Sequence, residues 1–386
     1  MVVYSNYPKD SRVRREAEGL VKAGMSVDVI SLRGDGELPN EQVNNVNTYR
    51  LNIKKKRGSK LQYLWQWSFF LIAAFVKLSW LQIVKKYHIV HLHNMPDFLV
   101  FSAFLPKLIG AKLILDLHDP MPDLFKTKYN ITGSHPIIKV LELLEILSIK
   151  FVDLVITPNI AFRNLFISRG CSPNKIHIVM NSPQESIFKK NFQNHNQYVV
   201  PKRNDFTIMY HGYISEYNGL DIAIDAIVPV REEIPELVFH VYGSGNYLEK
   251  VQEQISNLNL TDIVKIHGAV PIECIARAIQ SINVGIISNK LTPFTNLNFP
   301  TRIFEYLIMG KPVIAPRTKG ILDYFNEDSL FFFEPGNVDD LAKQIINLKS
   351  NGSKCQKIVE EGMKVYQQYR WELQQKHLSN LVAGLL

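Results

Sequence analysis

The chain has 386 residues, 46% of them hydrophobic and 21% charged, a balance that excludes a disordered chain and, at this length, favours two cores over one. Its formal net charge of +8 is modestly basic and suits anionic lipid, a phosphorylated substrate or nucleic acid without choosing among them. Cys171, Cys274 and Cys355 lie far apart with no metal-ligand spacing, which excludes a disulfide framework and fits a reducing compartment.

No secretory signal is evident before the first expected strand, MVVYS. A helical pattern, SRVRREAEGLVKAG, follows and ends at Gly24, a C-cap residue. Further strands are expected at 27–32, 88–93, 112–118, 154–158 and 176–180, then at 206–212, 237–243, 263–268, 283–288, 312–315 and 329–335. Most are almost wholly apolar and β-branched, as strands covered on both faces are, and they alternate with helical stretches. Together they predict parallel sheets in an α/β fold. The polar stretch 189–205, KKNFQNHNQYVVPKRND, separates the two sets as a linker between doubly wound domains.

The segment 54–84 complicates this soluble pattern: KKKRGSK precedes LQYLWQWSFFLIAAFVKLSWLQIV. Its longest unbroken apolar run, Phe69 to Val76, falls far short of the roughly 20 residues that span a bilayer, and Lys77 interrupts it. A basic cluster beside a Trp-rich helix reads either as an interfacial anchor for an anionic membrane surface or as a buried domain helix after a solvated loop.

In open α/β sheets, ligands bind beyond the carboxyl ends of the strands, so the residues just after each strand matter. HLHNMPD places His91, His93, Asn94 and Asp97 there. His91 and His93 share a strand face, but no third ligand stands at a motif spacing, so zinc is not expected. LDLHDPMPDLF places His118 and Asp119; such a histidine bonds a sugar hydroxyl, carries a proton, or forms a structural pair with the aspartate. In the second half, GYISEYNGLD is a Gly-bounded loop and YGSGN a Gly-x-Gly turn. Either these glycines let backbone amides approach a phosphate or base, or the turn alone requires them.

The stretch NKLTPFTNLNFPTRIFEYLIMGKPVIAP carries the sharpest signal. Pro300-Thr301-Arg302 opens a helix; Thr301 is expected to cap it and leave neighbouring amides free, and Arg302 adds a full charge, so the start suits a diphosphate. Glu305 lies one turn in. Its carboxylate accepts two hydrogen bonds from a vicinal diol such as a ribose, or it merely complements the helix dipole. No Asp-x-Asp, Walker lysine motif or Gly-x-Ser-x-Gly elbow occurs, which argues against a metal-held nucleotide in a single-domain transferase, a P-loop enzyme or an α/β-hydrolase.

Taken in order, YPKDSRVRREAEGLVKAGMSVDVISLR, LDLHDPMPDLF, YHGYISEYNGLDIAIDA, HVYGSGNYLEKV, KIHGAVP, FPTRIFEYLIMGKPVIAPRTKGI, FFFEPGNVDDLAKQI and YRWELQQKHLSNLV resemble the GT-B glycosyltransferases of family 4, retaining nucleotide-sugar enzymes of bacterial polysaccharide assembly. Each motif is loose alone; their number and order, end to end, carry the resemblance. It implies two Rossmann-like doubly wound domains facing a cleft: residues 1–195 for the acceptor, 205–368 for the nucleotide sugar, and a closing helix, 369–386, that crosses back to the first domain. It also implies retaining transfer from a nucleoside diphosphate sugar, UDP or GDP, to a glycan or polyprenyl-linked hydroxyl at the cytoplasmic face of the cell membrane. Neither a metal, another cofactor nor nucleic acid enters this expectation.

The resemblance assigns roles by residue. Glu305 matches the second glutamate of the family's E-x7-E motif, which holds the ribose. His118, with Asp119, falls beside the donor sugar, and these three are the catalytic candidates. Gly212, Gly243, Ser244, Gly245, His267 and Gly268 fall around the nucleotide, as do Asn296, Leu297, Pro300, Thr301 and Arg302. Arg12, His93, Asn94 and Asp97 fall on the acceptor side. The chain departs from the pattern where the motif's first glutamate is Leu297, with Asn296 beside it. The loop Ser215–Gly219 lacks the base that the family often carries, so Arg302 and the helix start must supply more. SNYPKDSRV replaces the glycine-rich turn after the first strand. A nucleotide-sugar 2-epimerase of the same fold and a non-catalytic nucleotide-sugar-binding subunit remain as other readings.

Overall fold

The computed structural model describes residues 1–54, 60–133, 135–188 and 205–386. Most of the expected linker and residues 55–59 of the basic cluster lie outside the described residues. Two compact units form: Met1–Asn181 with Glu372–Leu386, and Ser182–Trp371.

The first unit carries β1 (Val2–Asn6), β2 (Asp28–Leu32), β3 (Asn40–Val43), β4 (Val46–Leu51), β5 (Ile89–His93), β6 (Lys112–Asp116), β7 (Leu154–Thr157) and β8 (Ile176–Ile178). They form one sheet in the order β3-β4-β2-β1-β5-β6-β7-β8. All pairings are parallel except β3 with β4. That antiparallel hairpin was not expected. Asn44 and Asn45 turn it with φ of 51° and 63°, the left-handed values a tight hairpin turn requires. Its strands hide from a hydrophobicity search because Thr48 and Arg50, not aliphatic residues, fill two of the buried positions of β4.

The second unit carries β9 (Phe206–His211), β10 (Leu237–Tyr242), β11 (Val264–Ile266), β12 (Val284–Ile286), β13 (Val313–Pro316) and β14 (Phe331–Phe333). Their order, β11-β10-β9-β12-β13-β14, is that of a dinucleotide-binding sheet and is parallel throughout. Each sheet reverses its winding once: between β1 and β5 in the first, between β9 and β12 in the second. There the connections leave in opposite directions and open a crevice at the carboxyl ends.

The first core joins Val3, Val29, Ile114 and Ile156 to Leu378 and Val382 of the last helix, Trp371–Ala383. The second gathers Ile208, Phe239, Val241, Ile286 and Phe333. Each such side chain contributes about 1.5–3 kcal/mol by leaving water. The helix Ser11–Lys22 ends as expected, with Gly24 at φ +86°.

The apolar helix runs Lys60–Lys85, and its stretch Trp65–Lys85 is long and apolar enough to cross a membrane by length and composition. The short unbroken run in the sequence understated it, because Lys77 does not end the apolar surface: its ammonium lies over the rings of Tyr49 and Trp80, at 4.9 and 4.8 Å. Trp67, Phe70, Ala74, Leu78 and Leu81 form a buried stripe at helical spacing. Phe70 meets Tyr4 edge-on at 5.1 Å. Trp65, Phe69, Ile72, Val76 and Ile83 are 61–71% exposed on the same helix.

Candidate functional site

In the second unit, the loops after β9, β10 and β11 are laced together by backbone. The Gly212 amide donates to the Tyr242 carbonyl (2.9 Å), Gly243 to Gly268 (2.7 Å) and Ile214 to Ser244 (3.0 Å). Gly243 adopts φ +153°, and a Cβ there would stand 1.9 Å from the Gly212 oxygen; one on Gly245 would stand 1.9 Å from the Ile214 oxygen. Loop-on-loop packing therefore accounts for both glycines. Ser244 is exposed between them. The His267 ring stacks on Tyr242 at 4.3 Å and its Nε2 lies 2.7 Å from His240 Nδ1; burial lowers the pKa of both imidazoles.

The helix that follows Pro300 is short, Arg302–Ile308. Thr301 does not cap it: the residue is itself helical, with φ −53° and ψ −26°, and its side chain makes no capping bond. The turn has already begun at Pro300, whose carbonyl accepts from the Ile303 amide at 3.0 Å. The Arg302 guanidinium donates to the His211 carbonyl at the end of β9 and lies 4.7 Å over the Tyr210 ring. Glu305 Oε2 is 2.6 Å from His211 Nε2. A carboxylate only accepts, so that nitrogen carries the hydrogen. The other ring nitrogen lies 2.8 Å from the Tyr306 hydroxyl. The carboxylate is thus aimed by β9 while its side chain stays 13% exposed.

Two groups here escaped the sequence reading. His211 was not singled out beside Gly212, though it orients Glu305. Lys290, in the loop after β12, donates its amide to the Tyr217 carbonyl at 3.0 Å and pairs through Nζ with Asp221 at 2.5 Å. A cation therefore stands against the Ser215–Gly219 loop, supplied from a distant segment. Asn296 is committed elsewhere: its Oδ1 accepts from the Lys319 amide at 3.1 Å. Leu297 is half-buried and brings no polar group.

In the first unit, the residues after β5 and β6 converge. Asn94 Nδ2 donates to Asp97 Oδ1 (2.9 Å) and to the Asp119 carbonyl (2.7 Å), and Asn94 Oδ1 accepts from the His118 amide (2.9 Å). His93 Nδ1 and His118 Nε2 approach the same oxygen, Asp116 Oδ2, at 3.1 and 3.0 Å. Burial lowers His93 to about 4 and drives His91 and His118 downward, so these imidazoles are neutral near pH 7. Burial pushes Asp116 up to about 8 and Asp97 up to about 7, the latter opposed by Asn94 and Arg169. Arg12 sits beside this group with Nε 3.4 Å from Asp10; burial works against its charge, and Asp10 and Asp119 more than offset it. Asp116 and Glu16, both buried here, were not identified from the sequence. A cavity of about 590 Å³ opens at the opposite, amino ends of β1, β2 and β5, lined by Met1, Asp28, Lys85, Tyr87 and His91. It holds none of the expected catalytic, donor or acceptor residues.

Residues 10–182 match the family described as Glycosyl transferase 4-like domain, and residues 191–365 that described as Glycosyl transferases group 1. With two doubly wound units, the chain belongs among the GT-B-fold glycosyltransferases. Sucrose-phosphate synthase of Thermosynechococcus elongatus superposes with a TM-score of 0.77 at 16% identity, covering 100% of this chain and 95% of that one. Alr3699/HepE of Anabaena, in complex with UDP, superposes with a TM-score of 0.73 at 15% identity, covering 99% and 98%. Sulfoquinovosyl transferase SQD2 of Arabidopsis thaliana is 20% identical over 296 residues, 74% of this chain and 54% of that protein. Four matched curated relatives are covered over 33–54% of their own lengths.

Proposed function

We propose that this chain transfers a sugar from a nucleoside diphosphate sugar to a hydroxyl of a glycan or lipid-linked acceptor, with retention at the anomeric carbon. One observation carries the donor assignment: Glu305, held by His211 at the winding reversal of the second sheet, stands one turn after the cationic Arg302. A carboxylate at that place takes the two ribose hydroxyls. Structural neighbours with the same fold are described in complex with UDP and with UDP-glucose, which favours a uridine nucleotide here.

Arg302 and Lys290 would face the diphosphate and stabilise the charge that grows on it as the sugar departs. Two fixed cations make a divalent ion unnecessary for that step. In the first unit, Arg12, His93, Asn94 and Asp97 would bind the acceptor. His118, kept neutral by burial, would orient the sugar through a hydrogen bond, with Asp119 beside it. The exposed apolar face of the helix Lys60–Lys85 would hold the protein on the inner surface of the cell membrane, where lipid-linked acceptors of surface polysaccharide are presented.

The test is incubation with UDP- and GDP-hexoses and a lipid-linked acceptor extract. Nucleoside diphosphate release coupled to acceptor labelling, with the anomeric configuration kept in the product, is the expected result. An epimerised donor without acceptor would replace this reading with a 2-epimerase. Tight nucleotide binding without transfer or donor hydrolysis would replace it with a binding subunit, the reading that Leu297 favours.

A further inference from the structure

Glu16, His91 and Asp116 have no part in the proposed transfer, yet with His93 they form a fully buried group whose ligand-type atoms all lie within 4.8 Å of one another. We propose that these four side chains bind one divalent cation of the zinc class, which ties the helix Ser11–Lys22 to β5 and β6.

Around His91 the spacing fits an ion better than direct contact. In a tetrahedral site with bonds of about 2.0–2.1 Å, ligand atoms stand roughly 3.3 Å apart. Here His93 Nδ1 is 3.1 Å from Asp116 Oδ2, while His91 Nε2 is 3.8 Å from that oxygen and 3.7 Å from Glu16 Oε2. The two longer separations are too wide for hydrogen bonds. Both nitrogens of His91 and Glu16 Oε2 have no hydrogen-bond partner among the described residues, although His91 is only 3% exposed. Buried polar atoms left in that state are costly, and one cation would engage two of these three.

The charges agree. Glu16 and Asp116 place two buried carboxylates side by side, an arrangement whose charge a single cation would offset. Two carboxylates and two neutral imidazoles balance a divalent ion and offer the nitrogen and oxygen donors that zinc accepts. His118 Nε2, 3.0 Å from Asp116 Oδ2, would then steady a ligating carboxylate from outside the shell. His91 also lines the cavity of about 590 Å³, which gives an ion a route inward. Glu16 and Asp116 lie far from the His-x-His pair in sequence, so no spacing motif reveals the set.

The probe is zinc alone. The full chain, stripped with chelator and dialysed, is titrated with zinc chloride by calorimetry, and metal content is measured on protein purified without chelator. One zinc per chain is expected, with binding weakened at least ~100-fold in a Glu16→Gln, His91→Gln variant. Two other histidine pairs, His240 with His267 and His177 with His377, could take up zinc adventitiously. A His240→Gln, His377→Gln variant should therefore keep full affinity. The proposal is overturned if the wild type shows no stoichiometric end point, if the Glu16, His91 variant binds as tightly, or if only the control variant loses zinc. The wild-type titration decides even if a variant does not fold. UDP affinity in the same samples reports on residues of the other unit and separates a failure here from a failure of the donor assignment.

Discussion

Glu305 illustrates how one carboxylate acquires a direction. The histidine at the end of β9 fixes one oxygen, and no bond engages the other among the described residues. Each charged hydrogen bond to a ribose hydroxyl is worth roughly 1.5–3 kcal/mol, so losing two in Glu305→Ala should weaken UDP binding at least about 100-fold by calorimetry. Unchanged affinity would remove the ribose role. Lys290→Ala should lower affinity for UDP but leave uridine binding alone, since in the proposed site only the diphosphate would meet the ammonium. An equal loss for both ligands would show that the change merely disturbs the loop.

Asp97 offers a test of a different kind. Buried and raised to about 7, it keeps its proton at pH values where the unfolded chain, with an aspartate near about 4, has lost it. The folded state then binds more protons, so this residue's contribution to stability is full below about pH 4 and is lost as pH rises toward 7. Asp97→Asn should flatten that decline in urea-denaturation midpoints measured from pH 4 to 8. A slope identical to wild type would mean that Asp97 is ionised in the fold. At this scale the sequence singled out two segments that the fold brings together: HNMPD and DLHDP meet, joined by Asn94. It did not show Asp116, Glu16, His211 or Lys290, because each matters only through a neighbour distant in the chain.

Among the elements, the helix Lys60–Lys85 has two faces with separate consequences. Phe70 is fully buried, so Phe70→Ala should cost about 3–5 kcal/mol of stability by denaturant unfolding. Replacing the exposed Trp65, Phe69, Ile72 and Val76 with serine should leave the melting temperature nearly unchanged and abolish sedimentation with anionic vesicles. If the variant still pellets with the vesicles, the membrane contact lies elsewhere. The strands show the limits of local pattern. Wholly apolar central strands were plain because both faces are covered. The β3–β4 hairpin was invisible because an edge pair needs no apolar run, and its turn of two asparagines was the only signal.

For the whole molecule, the last helix matters most. Trp371–Ala383 follows the second unit in the chain yet completes the core of the first: Leu378 is fully buried there, and Gln374 Oε1 accepts from the Met180 amide at 2.9 Å. Leu378→Ala should destabilise the first unit by about 2–5 kcal/mol while UDP affinity, which the proposed donor site places in the second, stays the same. A parallel loss of UDP affinity would mean that the two units do not fold as separate cores.

What the sequence alone determined is what repeats locally: the alternation of apolar strands and helices, the two doubly wound sheets, and the order of loops that carry histidine, glycine and glutamate. Those features follow from short-range periodicity and from turn chemistry. Which side chains complete each site was decided only by the tertiary structure. Parallel sheets bring together strand ends separated by whole helices, so the partner of Glu305, the cation beside Ser215–Gly219 and the carboxylates around His91 all come from distant parts of the chain.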